Sequence, residues 1–196
     1  MVNVLTVIGS PDPGSFVHAL AREVTAVLRA RGDDVEERDL YAEQFPPVAP
    51  PGEAYTAGLD VEAAVAATAD PLVRRHRLAL SRADLLVVAH PNWWGKPPAI
   101  MAGWIDRVVV PGVAYRLERR EGLPTSLLRL RGVLVLNTGD TPPEREREVF
   151  GDPRSQPSGH RVRDRNGVEL DSIVLLGVRA IATVIPANYA ERYSGG

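Results

Sequence analysis

Val2 to Ile8 is a short apolar run rich in β-branched residues, and it stops at the turn Gly9-Ser10-Pro11-Asp12-Pro13-Gly14. Behind that turn Phe16, Leu20, Val24, Val27 and Leu28 recur at helical spacing, so the chain opens as strand, loop, helix. Arg31-Gly32-Asp33-Asp34 ends the helix, and Val35 to Leu40 gives a second, more polar strand suited to a sheet edge. A proline-rich excursion follows from Phe45 to Gly52. Asp70 and Pro71 then supply a cap and a first helical residue for a helix reaching about Ala83. Leu85 to Ala89 is continuously apolar, the pattern of a strand buried on both faces, and it ends at His90-Pro91. Past Pro98, the residues Met101, Trp104, Ile105 and Val108 line one helical face. Val133 to Leu136 is another buried strand, closed by Asn137-Thr138-Gly139-Asp140, and Ile181 to Ile185 offers a last one. The polar stretch from 151 to 169 has no clear period and reads as a long, divergent loop.

Strands alternating with helices imply right-handed crossovers, a parallel sheet and helices on both of its faces. Five such strands predict an α/β, flavodoxin-like, doubly wound sheet, formed by residues 1–196 as a single domain. Ligands of such folds bind beyond the carboxyl ends of the strands. The loops expected there are Gly9 to Phe16, His90 to Pro97 and Asn137 to Pro143, which are also the three with the most unusual composition.

Composition narrows the chemistry. The sequence has no cysteine, which removes disulfides, thiolate metal sites and cysteine nucleophiles, so redox work would need a bound cofactor. A net charge of −2 gives no reason to expect nucleic acid or an acidic membrane as partner. No apolar run approaches the ~18 residues of a membrane span, and no leader is evident at Met1, so a cytoplasmic location is expected.

The first loop, GSPDPGSF, has the G-x-x-x-x-G spacing of a P-loop, but Ser15-Phe16 stand where Lys and Ser/Thr would be required. A nucleoside triphosphatase or phosphotransferase is thereby disfavoured. A receiver domain is disfavoured too, because the first strand ends without an acidic pair. What remains is a Gly, Ser and Pro turn feeding a helix N-terminus, an arrangement that suits a phosphate monoester and to which Ser10 and Ser15 add hydroxyls; the alternative is that Ser15 only caps the helix. The second loop, Pro91-Asn92-Trp93-Trp94-Gly95, holds two of the three tryptophans and adjoins Lys96, the one lysine. It suits a flat ring system, with an apolar plug or a subunit interface as the alternative. The third loop, Asn137-Thr138-Gly139-Asp140, could serve the polar edge of the same ring or be an ordinary strand-end turn. Lys96 steers phosphates or is simply solvated, and His90 reads as a satisfied strand-end residue.

These segments resemble the flavodoxin-like NAD(P)H:quinone oxidoreductase family, which includes quinone dehydrogenases and ancillary subunits of potassium efflux systems. The resemblance rests on GSPDPGSF, on DLYAEQFPPV at Asp39 to Val48, on ADLLVVAHPNWWGKPPAIMAGWIDRV from Ala83, on Pro111-Gly112-Val113-Ala114-Tyr115 and on the NTGD turn, in consistent order over about the first 140 residues. It implies a homodimer using FMN, or FAD, with NAD(P)H as reductant, and a ping-pong hydride transfer to a quinone or similar acceptor. FMN is expected over FAD because the chain lacks the longer C-terminal part of FAD-using relatives. An ancillary flavin-binding subunit with little turnover is the other reading.

Carried over by position, the resemblance puts Ser10, Ser15, Phe16 and Val17 at the cofactor phosphate. Pro91, Asn92, Trp93, Trp94 and Gly95 fall along the isoalloxazine, and Thr138, Gly139 and Asp140 on its pyrimidine side. Tyr115, with Trp94, falls at the substrate pocket, the tyrosine at that of the other subunit. Two positions depart from the family. Val17 replaces a polar residue, and Asp140 replaces Gly or Ser, where a carboxylate near the ring would disfavour an anionic reduced flavin unless it faces water. No catalytic Tyr or His is assigned. His160 falls where the resemblance ends, and Thr141 to Arg147 resembles a different branch of the family.

Overall fold

The computed structural model describes residues 1–53, 61–94, 96–117, 124–139, 148, 161–163, 169–171 and 178–184. Among the described residues up to 138, the strands are β1 (Asn3–Ile8), β2 (Asp34–Asp39), β3 (Leu85–Pro91), β4 (Tyr115–Leu117), β5 (Pro124–Ser126) and β6 (Gly132–Thr138). Between them run helices α1 (Phe16–Ala30), α2 (Val61–Ala66), α3 (Pro71–Arg82) and α4 (Ala99–Val108), with a 3-10 turn at Pro51–Glu53. The main sheet is parallel in the order β2-β1-β3-β6.

That order follows from side-chain alternation. Along β1, Leu5 and Val7 enter one core cluster while Val4 and Ile8 enter another; along β3, Leu86 and Val88 divide from Val87 and Ala89 in the same way. Both faces of the sheet are therefore apolar, and each needs its own cover. Helix α1 covers one face through Val17, Ala21 and Leu28, and α3 and α4 cover the other. The edge strand β2, DVEERD, is mostly charged, which blunts its pairing capacity.

The helix ends follow local chemistry. Asp70 caps α3, its carboxylate accepting from the amides of Leu72 at 2.8 Å and Val73 at 3.2 Å, with Pro71 as the first helical residue. Helix α4 starts behind Pro97-Pro98 and has no side-chain cap.

Two helical faces differ from the sequence reading. In α1, Phe16 and Val27 are exposed; Leu28 is buried and Leu20 and Val24 pack at the margin of the core as expected, and Val17, His18, Ala21 and Thr25 are buried besides. Ala21 and Thr25 are small, and a count of large apolar residues misses their burial. In α4, Ile105 is exposed and Arg107 is buried, because a carboxylate waits for that arginine inside. Burial of Trp104, by contrast, agrees with its assignment to packing.

Helix α2 and the antiparallel pair β4–β5 were not expected. Nor was pairing within 151–169, where Arg161–Arg163 (β7) meets β5 and then Glu169–Asp171 (β8) in a second, small sheet. Strands of three residues are too short for a period of two to stand out.

Under α4 lies a polar cluster. Glu53 Oε1 accepts from Arg107 Nη2 at 2.6 Å and Thr68 Oγ1 at 2.5 Å, and Glu53 Oε2 accepts from Arg107 Nε at 3.0 Å. Arg77 donates to the carbonyls of Arg107 at 2.8 Å and Ala64 at 2.7 Å, and its Nη2 lies 3.7 Å from Glu53. Two buried guanidinium groups thus share one carboxylate and otherwise use backbone oxygens, the pairing that burial of charge demands.

Candidate functional site

The parallel register brings three loops to one edge. Ile8 pairs with Ala89, Ala89 with Leu136, and Pro91 with Thr138, so the chain leaves β1, β3 and β6 on the same side of the sheet. The exits are stitched together: the Gly9 amide donates to Ala89 O at 2.8 Å and the Asn92 amide to Thr138 O at 2.7 Å. A Cβ added to Gly9 would meet Met101 Cε at 2.9 Å, which seats the first loop directly on α4.

Ser15 caps α1 and joins a chain of polar groups. Its Oγ lies 2.9 Å from Ser10 Oγ and 3.1 Å from His18 Nδ1, and His18 Nε2 lies 3.0 Å from Asp39 Oδ2 at the end of β2. Ser10 and His18 are buried. The other oxygen of Asp39 accepts from the amides of Tyr41 at 3.0 Å and Ala42 at 3.1 Å, which fixes the carboxylate. Asp12 closes the loop by accepting from the Gly14 amide at 2.8 Å. Phe16 and Val17 occupy the first two helical positions, whose amides have no carbonyl within the helix to bond. The side chain of Val17 is buried among Val4, Ile8 and Ala89, so only its backbone can face a ligand there.

The second loop is a two-residue hairpin. Trp93 and Lys96 exchange backbone hydrogen bonds of 2.9 and 3.0 Å, and Trp94 stands at the tip with φ +56°. A positive φ at a bulky residue costs on the order of 1 kcal/mol or more. Trp94 is 89% exposed and Trp93 45%, so neither is a plug within this chain. Pro91 and Asn92 are half-buried beside the third loop; Gly139 leaves Asn92 Cβ 4.0 Å from where its own Cβ would be. Thr138 and Gly139 are half-buried as well.

His90 is buried, and its Nδ1 donates to Pro91 O at 2.8 Å, the strand-end role expected for it. Lys96 is exposed. Tyr115 lies on β4, half-buried against the core cluster that holds Trp104, and desolvation raises its phenol above the ordinary tyrosine value. Gly95, Asp140, Thr141 to Arg147 and His160 lie outside the described residues.

Sequence reasoning missed His18 and Asp39. Their only signal was a Ser-x-x-His spacing at a helix start and an acidic residue closing the second strand, and neither says that the two meet. Their meeting follows from the register, which puts Asp39 level with Ile8. A cavity lined by Asn3, Asp34, Glu36 and Arg82 lies at the opposite edge of the sheet and includes none of the loop residues.

Among the described residues, no helix is long and apolar enough to cross a membrane, and no group of His, Cys, Asp or Glu is placed to hold a metal ion.

Known proteins resemble this chain in sequence and fold. The chain is 34% identical over 142 residues to FMN-dependent NADH:quinone oxidoreductase 1 of Bradyrhizobium diazoefficiens, covering 69% of this chain and 67% of that protein. It is 30% identical over 123 residues to an uncharacterized NAD(P)H oxidoreductase of Haemophilus influenzae, covering 62% of this chain and only 57% of that protein's length. The chain thus spans little more than half of this relative. The solved structure of an NAD(P)H:quinone oxidoreductase from Methanothermobacter marburgensis superposes with a TM-score of 0.69 at 24% identity, over 94% of this chain and 85% of that one, a likeness of fold. The Flavodoxin_2 family model, described as a flavodoxin-like fold, matches residues 2–156, and the chain belongs to that family.

Proposed function

We propose that the protein is a flavin-dependent NAD(P)H oxidoreductase that reduces a quinone or similar aromatic acceptor by two-electron transfer. The observation that carries this reading is the convergence of three chemically different loops on one sheet edge: hydroxyls at a helix N-terminus, an exposed indole pair, and a small turn stitched to it. The reading is supported by 34% identity over 142 residues to a protein named as an FMN-dependent NADH:quinone oxidoreductase.

The residues present fit a flavin mononucleotide. Ser10, Ser15 and the amides of Phe16 and Val17 would hold its phosphate, favoured by the helix dipole, with no side-chain contact from Val17. Pro91 to Gly95 would flank the ring, and Thr138 to Asp140 its pyrimidine edge. A flavin held there would supply the hydride chemistry between NAD(P)H and the acceptor, in the ping-pong sequence that the resemblance implies. The protein's part is to bind, orient and exclude water. Trp93 and Trp94 give the planar acceptor an apolar surface, and Tyr115 serves the pocket of a second subunit.

A homodimer belongs to the same reading, supported by two apolar side chains left exposed, Ile105 on α4 and Val48 in the proline-rich loop. So does a single flavin-binding domain over 1–196 with a fifth parallel strand, Val178–Val184 (β9); what supports the strand is its pairing with β6, Val135 opposite Ile181. A nicotinamide reductant fits the cytoplasmic location expected from the sequence.

The test is direct. The purified protein should be yellow, or become so with FMN, and should bleach anaerobically with NADH or NADPH and recover its colour on adding a quinone. A preparation that shows no visible flavin band after incubation with FMN and FAD overturns the reading.

A further inference from the structure

The chain Ser10, Ser15, His18, Asp39 fixes where its protons lie. A carboxylate only accepts, so Asp39 Oδ2 must receive the Nε2–H of His18 at 3.0 Å. In a neutral imidazole that leaves Nδ1 as an acceptor, and the one proton of the Ser15 hydroxyl goes to it at 3.1 Å. Ser15 Oγ then accepts from the Ser10 hydroxyl at 2.9 Å and, weakly, from the His18 amide at 3.5 Å. In this state both hydroxyls at the helix N-terminus have spent their protons inside the protein. A phosphate needs donors, and these two have none to give.

We propose that His18 is a positioning residue for the phosphate end of the site. It takes up one solvent proton at Nδ1 when a phosphate monoester docks, and the Ser15 hydroxyl is thereby released from the imidazole to donate to the ligand. With Nδ1 protonated, the ring donates to Ser15 Oγ and Nε2 still donates to Asp39. The hydroxyl proton of Ser15 can then turn outward, while Ser10 keeps donating to the second lone pair of Ser15 Oγ.

Electrostatics drives the switch in the right direction. His18 lies in the first turn of α1, so a dianion docked at that helix N-terminus would sit close to the ring and attract a proton to it. Asp39, the charged group within ion-pair range of the ring among the described residues, is already placed to support the imidazolium. The other charged groups nearby face elsewhere. Asp12 binds the Gly14 amide, Arg22 donates to Pro13 O at 3.4 Å, and Arg38 is engaged by Glu36 and Glu43.

The inference rests on the flavin reading, and the experiment separates the two. Flavin titration of the full chain by calorimetry at pH 8, in buffers of different ionisation enthalpy, should show net proton uptake of up to about one per FMN. Riboflavin, which lacks the phosphate, should bind without uptake. His18→Asn should abolish the uptake and weaken FMN by ~10-fold or more while leaving riboflavin affinity unchanged. Independently of any variant, the ring nitrogens of wild-type His18 should read as the Nε2–H tautomer without ligand and as imidazolium with FMN by 15N NMR. FMN binding without uptake, uptake equal for riboflavin, or a ring that stays neutral overturns the role of His18 and leaves the flavin reading standing. Failure of the wild type to bind either flavin overturns both.

Discussion

The indole N–H of Trp104 donates to Nδ1 of His76 at 2.9 Å, and His76 Nε2 donates to Glu43 at 2.7 Å, a relay that runs from the middle of α4 to the loop after β2. The tautomer is settled by the partners, since an indole only donates and a carboxylate only accepts. His76 is fully buried and Phe45 packs on its ring at a centroid distance of 5.0 Å. This relay joins the proline-rich loop and α3 to the helix on which the site's first loop rests.

Removing the donor should therefore cost more than its apolar area. Trp104→Phe leaves His76 Nδ1 buried without its partner, a loss of about 1–3 kcal/mol before any cavity is counted. Urea unfolding of Trp104→Phe, His76→Phe and the double variant should give non-additive losses. Additive effects would show that the hydrogen bond carries nothing.

The same histidine gives stability a pH dependence. Burial pushes its pKa down, only partly opposed by the Glu43 carboxylate. A base with a depressed folded value stays neutral in the native state while the unfolded chain takes up a proton. Stability is then complete above about pH 6.5 and falls as pH drops below it. For Glu53, burial alone would raise the carboxyl, but its bonds to Arg107 and Thr68 and the charges of Arg107 and Arg77 outweigh that and lower it. Its contribution is present above the unfolded value of about 4.5 and is lost only at lower pH. Urea midpoints measured from pH 8 to 3.5 should decline first below neutrality and then again below about 4.5. Glu53→Gln, which leaves two buried guanidinium groups without a carboxylate, should cost ~3–5 kcal/mol at pH 7.

Close packing makes a further demand at Gly103. A Cβ there would sit 2.2 Å from the Pro47 carbonyl oxygen, a backbone atom that cannot move without shifting the loop. Gly103→Ala should gain roughly 1 kcal/mol of helix propensity and lose more to the clash, a net destabilisation of ~1–3 kcal/mol read as a lower melting temperature.

Much of this arrangement could be read from the chain. The parallel sheet and the capped start of α3 followed from apolar runs and from Asp70-Pro71, because those signals are local. The common edge of the three loops followed from the order of the strands. The cluster of Glu53, Arg77 and Arg107 was invisible, since its members are 54 and 30 residues apart in the pairs Glu53–Arg107 and Arg77–Arg107 and each alone looks like a surface charge. Arg107 is buried for that reason, while Ile105, expected on the packed face, is exposed. Likewise the Ser15–His18–Asp39 chain needed the register of β1 and β2 before it could be seen.

Trp94 separates folding from function most sharply. Its ring is almost wholly in solvent and its backbone sits at φ +56°, so the chain gains little packing from it and bears the strain. Trp94→Gly should therefore leave stability unchanged or raise it by about 1 kcal/mol, because glycine adopts that conformation without penalty. If the indole serves an aromatic acceptor as well as the ring, quinone kcat/KM of the FMN-saturated variant should fall ~10-fold, in line with a lost aromatic contact of about 0.5–1.5 kcal/mol plus its buried area. Equilibrium unfolding and steady-state assays on one preparation decide it. A variant that is less stable and equally active would assign Trp94 to the architecture of the chain rather than to the acceptor.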